Sequence, residues 1–214
     1  MLLSFIDDYF ALCAFIISVM NFRHLKKAGM CLFPFFLLFI LSMDSIELIL
    51  PNDALLLYNI STAAAFVFYA YMLSLILREA AFKTMTLRFI LAYPVLFLFN
   101  LFFIQGIARL QSYTMILGSV FMIIFCGLYF YEQLLDPRED HLLKSPGFWI
   151  STGILFYYLG TLSYDILFNI LQKYTVNTGW KLFINIDNNL TLILYSCFII
   201  AFLCKRGLRR SLSQ

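Results

Sequence analysis

Asp44 and Glu47, three residues apart in FLLFILSMDSIEL (36–48), are acidic side chains inside a run that is otherwise almost wholly apolar. Asp165 and Asn169 follow Thr161 at intervals of four in TLSYDILFNI (161–170), which stacks the three on one helical face. Asn185, Asp187, Asn188 and Asn189 head a third run, FINIDNNLTLIL (183–194), and Asn59 and Asn100 interrupt two more. Carboxylates and amides with few bases beside them can hold a cation or a small polar ligand, or relay protons. A facing pair of acids such as Asp44 and Asp165 could do acid and base work.

What surrounds these residues decides their setting. The chain has 214 residues, of which 63% are hydrophobic, 19% aromatic and only 13% charged, with a mean hydropathy of +0.88. Soluble domains carry roughly a quarter charged residues, so this is an integral membrane protein with an all-α architecture. Apolar stretches of about 20 residues, the length that crosses a bilayer, consume nearly all of it. Seven transmembrane helices are expected as a single domain over 1–214, at about 4–22, 30–50, 54–77, 87–106, 112–132, 147–172 and 182–204. The segment MLLSFIDDYFALCAF has acids before its apolar core and no small-residue cleavage site, which reads as a retained helix rather than a signal peptide.

The expected breaks are short, so consecutive helices should pack antiparallel. Taking alternate breaks, Arg23, Lys26, Lys27, Arg78, Lys83 and Arg88 fall on one side with Arg138, Lys144, Lys205, Arg206, Arg209 and Arg210. Only Arg109, Lys173 and Lys181 fall on the other. Cytoplasmic loops retain positive charge, which places the N-terminus outside and the C-terminus inside. The net charge of +3 is then ordinary lipid-facing anchorage and implies no nucleic-acid partner. With that orientation the strongly polar residues, including Asp7, Asp8 and Asp53, gather toward the outside.

A carboxylate at membrane depth costs roughly 2.5–3.5 kcal/mol unless it meets protein or water, so Asp44, Glu47, Asp165 and Asp187 should point into the bundle. The expectation is an outward-facing cup for ligand, walled also by Asn59, Asn100, Asn169, Asn185, Asn188 and Asn189. The bland alternative leaves several of them solvated among the headgroups. Because LTLILYSCFIIAFLC is only fifteen residues long and would span ~22 Å of a ~30 Å core, the last helix should recruit FINIDNN into its outer turns.

Other features suit packing. Pro94 should kink the fourth span, Gly153 and Gly160 fall seven apart on one face as a close-packed seam requires, and Trp149 and Trp180 read as interfacial anchors. Glu132 reads as part of the loop after the fifth span. Cys13, Cys31, Cys126, Cys197 and Cys204 are scattered singly, without zinc or redox spacing. His24 and His141 both fall in breaks, there is no HExxH, serine elbow or phosphate loop, and no lysine stands inside the last span for a retinal Schiff base. The residues imply no cofactor and no metal, and they give catalysis little to stand on beyond paired acids.

The stretch KSPGFWISTGILFYYLG (144–160) resembles a recurring pattern in small bacterial seven-helix membrane proteins: a proline, an aromatic pair, then a glycine-bearing helix rich in Tyr and Phe. FLLFILSMDSIEL, NDALLLYNI (52–60) and YFYEQLL (129–135) extend the likeness, and similar segments look like the membrane sensor portions of some histidine kinases. The resemblance implies a sensory role in the bacterial cytoplasmic (inner) membrane. No histidine box or nucleotide-binding region follows the seventh span, so the signal is expected to pass to a separate cytoplasmic or membrane partner. The leading expectation is therefore a receptor-like protein binding a small polar or cationic ligand, with an ion-coupled or small-solute transporter as the alternative. An intramembrane enzyme and an assembly role stand behind both.

Overall fold

The computed structural model describes residues 6–27, 29–107, 109–135, 142–171 and 176–204; within the helices, the side chains of 6–8, 27, 165, 167–171 and 176–185 lie outside the description. Among the described residues all regular structure is helical. The α-helices are α1 (Ile6–Met20), α2 (Phe22–Lys27), α3 (Phe33–Ile49), α4 (Ala54–Ile76), α5 (Ala80–Phe99), α6 (Ser112–Leu135), α7 (Pro146–Leu171) and α8 (Val176–Leu203). A π turn over Asn100–Ile104 extends α5, and a 3-10 turn at Leu142–Lys144 precedes α7. Among the described residues, four segments are long and apolar enough to cross a membrane: Ala54–Ile76, Ala80–Ile104, Ser112–Leu135 and Ile186–Leu203. Leu91 and Phe103 on the α5 segment are 77% and 76% exposed, which is compatible with lipid contact.

Several boundaries follow local chemistry. Pro34 stands in the first turn of α3, where its missing N–H has no helical partner to lose. Pro51, Asn52 and Asp53 form the turn into α4, as the sequence predicts. The expected break after the first span instead contains the short α2, which ends near Gly29, whose φ of +73° suits glycine.

Two helices begin earlier than expected. α5 starts at Ala80 rather than near 87 because Glu132, 7% exposed on α6, receives the backbone N–H of Arg78 at 3.1 and 3.0 Å and of Glu79 at 2.9 Å. Those N–H groups precede the first turn of α5 and need an acceptor that α5 cannot supply. Glu132, expected in a loop, is a buried clasp between α6 and the α4–α5 connection. α8 starts at Val176 rather than near 182, so FINIDNN lies within a continuous helix. α5 also runs on through Pro94 and changes its hydrogen-bonding pattern only at the π turn, where Gln105 N–H donates to Asn100 O at 2.9 Å.

The helices close a ring in the order α1, α3, α4, α6, α7, α8 and back to α1, with α5 packed outside against α4 and α6. α7 and α8 share the most extensive contact, and glycine is the reason: a Cβ on Gly153 would lie 2.8 Å from Cys197 Cβ, and one on Gly160 2.5 Å from Leu190. α4 touches α3, α5, α6 and α7, and Phe66 is its wedge. The Phe66 ring stacks on Tyr158 of α7 with centroids 4.9 Å apart, tilts against Tyr93 of α5 at 5.1 Å, and passes so close to α6 that a Cβ on Gly118 would stand 2.7 Å from it.

Toward the other end of the bundle, Phe33 of α3 meets Phe68 of α4 and Phe198 and Phe202 of α8 edge-on at 5.1–5.2 Å. Phe36 stacks flat on Phe68 at 3.8 Å. This aromatic plug joins α3, α4 and α8 below Phe66. Trp149 Nε1–H donates to Leu143 O at 2.8 Å, which fixes the 3-10 turn to α7, while the side chain of Trp180 lies outside the described residues.

A methyl group at Gly118 is expected to force Phe66 out of place and cost about 1–3 kcal/mol. Gly127, on the same helix, faces open space, so its replacement by alanine should be neutral or slightly stabilising. Thermal unfolding of Gly118→Ala and Gly127→Ala in detergent micelles checks this; a Gly118→Ala protein as stable as the parent would show that the wedge is not needed.

Candidate functional site

A cavity of about 490 Å³ lies inside the ring and reaches the end of the bundle where α3 gives way to α4, between Leu48 and Ala54. Its lining descends α4 from Ala54 to Tyr69, a run of about 22 Å at 1.5 Å per residue. Three carboxylates line it: Asp44 and Glu47, in the last two turns of α3, and Asp187 on α8. Five tyrosines join them, namely Tyr58, Tyr69, Tyr157, Tyr158 and Tyr195. Hydroxyls come from Ser61, Thr62, Ser119, Thr161 and Thr191. No Lys, Arg or His is among the described lining residues.

The lining is graded from mouth to floor. On α8, whose chain runs downward, Asp187, Thr191 and Tyr195 follow at intervals of four and so share one face. Asp187 accepts a hydrogen bond from the Tyr157 hydroxyl at 3.0 Å, which ties α7 to α8 across the cavity wall. A bond to a charged acceptor contributes roughly 1.5–3 kcal/mol. Glu47 Oε1 is buried and has no hydrogen-bond partner among the described residues. The floor is aromatic: Phe66, Tyr69 and Tyr158 are all at most 3% exposed, and Tyr158 stacks on Phe66 while its edge meets Tyr69 at 6.2 Å. Beneath them lie Met122, Phe125, Cys126 and Phe198, all fully buried.

The ten residues expected at the site fall into three groups. Asp44, Glu47 and Asp187 share the cavity lining. The side chains of Asp165, Asn169 and Asn185 lie outside the described residues, as do those of Asp7 and Asp8. The other four stand elsewhere. Asn188 is half-buried and Asn189 exposed, and neither lines the cavity.

Asn59 and Asn100 are buried, and both serve the α5–α6 connection rather than the cup. Asn59 Nδ2 donates to Arg109 O at 3.0 Å, and its Oδ1 accepts the Gln111 N–H at 3.2 Å. Asn100 Nδ2 donates to Gln111 Oε1 at 2.6 Å and to Gln105 Oε1 at 2.7 Å, while Gln111 Nε2 donates to Gly106 O at 2.7 Å. Gly106 turns the chain here with φ +81°. Backbone that reverses inside an apolar bundle must find polar partners from the protein itself, and these three amides with Asn59 supply them.

The tyrosines were absent from the expected site. A signal for them exists: Tyr58, Ala65 and Tyr69 continue a stripe of seven and eleven residues down one face of α4, and Tyr195 continues the four-residue ladder from Asp187. In a chain with thirteen tyrosines that stripe has many rivals.

The fold and the cavity together define an α-helical integral membrane protein with an internal acid-and-tyrosine site. Set against known proteins, the chain matches no family model, no curated protein and no solved structure.

Replacing Asn59 by leucine would strip Arg109 O and the Gln111 N–H of their partner, at about 1–3 kcal/mol for buried groups left unpaired. Asn59→Leu is therefore expected to lower the unfolding temperature in micelles; an unfolding temperature equal to the parent's would show that the connection does not depend on Asn59.

Proposed function

We propose that this protein is a receptor-like sensor that binds a small cationic ligand in the cavity and passes the change to a separate cytoplasmic or membrane partner. The observation that carries the reading is the composition of the lining: three carboxylates and five tyrosines with no described basic side chain among them. Carboxylates supply charge, and tyrosine rings attract cations through their faces, by ~0.5–2 kcal/mol each depending on how dry the site is. The likeness of 144–160 to small bacterial seven-helix membrane proteins, and of similar segments to the membrane sensor portions of some histidine kinases, agrees with this and favours the bacterial inner membrane.

In this reading seven helices, α1 and α3 to α8, cross the bilayer, and the cavity opens away from the cytoplasm. Support comes from charge: Arg23, Lys26, Arg78, Lys83, Arg88 and Lys144 stand toward the end opposite the cavity mouth, and basic residues collect on the cytoplasmic side. Signalling would be a shift between two arrangements of the ring, biased by a ligand that fits one better. The Tyr157 to Asp187 bond is well placed to report occupancy, because it joins α7 and α8 where a cation would compete for the carboxylate.

Ion-coupled or small-solute transport is the second reading, favoured by the reach of the cavity down most of α4. Opposed to it is the aromatic plug of Phe33, Phe68, Phe198 and Phe202, which continues the packing beneath the floor.

The protein in lipid nanodiscs is expected to be stabilised thermally by small organic ammonium ions and not by anions of similar size, and Asp44→Asn with Asp187→Asn should remove that stabilisation. Stabilisation that survives both substitutions would remove the acids from the site. Net uptake of the same cations into proteoliposomes would favour the transporter. Orientation is checked separately in a cysteine-free background: Asn52→Cys should react with an impermeant maleimide on intact cells, and Lys83→Cys only after permeabilisation. The reverse pattern would invert the topology.

A further inference from the structure

The cavity is too long and too unevenly lined for a bare ion. Its volume of about 490 Å³ falls in the range of sites that enclose small organic molecules, and its described carboxylates are confined to the half nearer the mouth. Asp44 and Glu47 stand in the last two turns of α3, and Asp187 precedes Thr191, Leu194 and Tyr195 on the descending α8. Below this level the lining includes Ile40, Phe66, Tyr69, Ser119, Tyr158, Leu194 and Tyr195, with no carboxylate among the described residues.

The deep end holds a second signal. Tyr69 and Tyr158 are 3% and 2% exposed and both line the cavity. Neither hydroxyl has a hydrogen-bond partner among the described residues, whereas Tyr93 and Tyr157 donate to Thr114 O and Asp187. A buried tyrosine hydroxyl ordinarily finds a partner. Two that face one cavity floor without one are suited to a polar group brought by the occupant.

We propose that the cavity takes an elongated organic monocation: an ammonium group held among Asp44, Glu47 and Asp187, an apolar or aromatic body against Phe66 and Leu194, and a hydrogen-bonding group at the far end met by the hydroxyls of Tyr69 and Tyr158. This rests on the cation-binding reading above and adds the length, the single charge and the polar tail. A linear polyamine is disfavoured because its inner charge would sit away from every described carboxylate, where ring faces alone would have to offset its lost hydration.

Binding to the full chain in nanodiscs is measured with methylamine, 2-phenylethylamine, tyramine, spermidine and uncharged 4-ethylphenol. Affinity is expected to rise at least about tenfold from methylamine to 2-phenylethylamine as the ring is buried, and a further two- to tenfold or so with the ring hydroxyl of tyramine. Tyr69→Phe with Tyr158→Phe should erase the tyramine increment and leave 2-phenylethylamine unchanged; unliganded thermal unfolding of that variant verifies its fold. If all amines bind alike, or spermidine binds best, while Asp187→Asn still weakens them, the elongated-monocation assignment fails and cation binding stands. If 4-ethylphenol matches tyramine and the acids do not matter, cation binding fails as well.

Discussion

The contact of the Phe66 ring with the bare backbone of Gly118 governs the centre of this protein. Without a Cβ at Gly118, α6 comes near enough for Phe66 to lie between it and Tyr158 of α7, while Tyr93 of α5 closes the remaining side. Four helices are thereby set around one side chain. The same ring is the roof of the packed core and the floor of the cavity, so the depth of the site follows from the fit at Gly118. Between α7 and α8 the principle repeats at Gly153 and Gly160, where glycine substitutes close approach for the hydrophobic drive that lipid does not provide.

Polar groups in such a setting must be answered from within the protein, and the chain does this at both ends of the bundle with different chemistry. At the cavity end, amides from α4, α5 and the start of α6 satisfy the α5–α6 connection through Asn59, Asn100, Gln105 and Gln111. At the opposite end a single carboxylate, Glu132, gathers the N–H groups that open α5. Both devices immobilise α5, the helix that stands outside the ring. Intramembrane polarity is therefore divided between residues that hold the frame and residues that face the cavity. Type alone does not separate the two: Asn59 and Asp44 are equally conspicuous in an apolar run, yet only Asp44 lines the cavity.

The cavity itself combines two recognition elements that sequence reading treats separately. Its carboxylates supply charge near the mouth, and its tyrosines supply ring faces and hydroxyls further down. That gradient is the basis of the organic cation proposed above, and a packed aromatic plug lies below it. The Tyr157 to Asp187 bond places one of the cavity's acids directly on the α7–α8 pair, the most closely joined of the described helices.

Composition and periodicity sufficed for the all-helical class, for apolar segments long enough to cross a membrane, for the turn at Pro51 to Asp53, and for the glycine seam of α7. They also sufficed for the helical state of FINIDNN, since fifteen apolar residues are too few for a bilayer. These depend on neighbours along the chain, which is what a sequence displays. Tertiary structure alone decided that Glu132 belongs to α5 as much as to its own helix, that Asn59 and Asn100 serve a turn some fifty and ten residues away, and that Tyr58, Tyr69, Tyr157, Tyr158 and Tyr195 meet in one place. The reason is physical: a side chain's role in a bundle is set by which helix faces it across about 10 Å, and that distance is not written in the spacing of residues along any one helix.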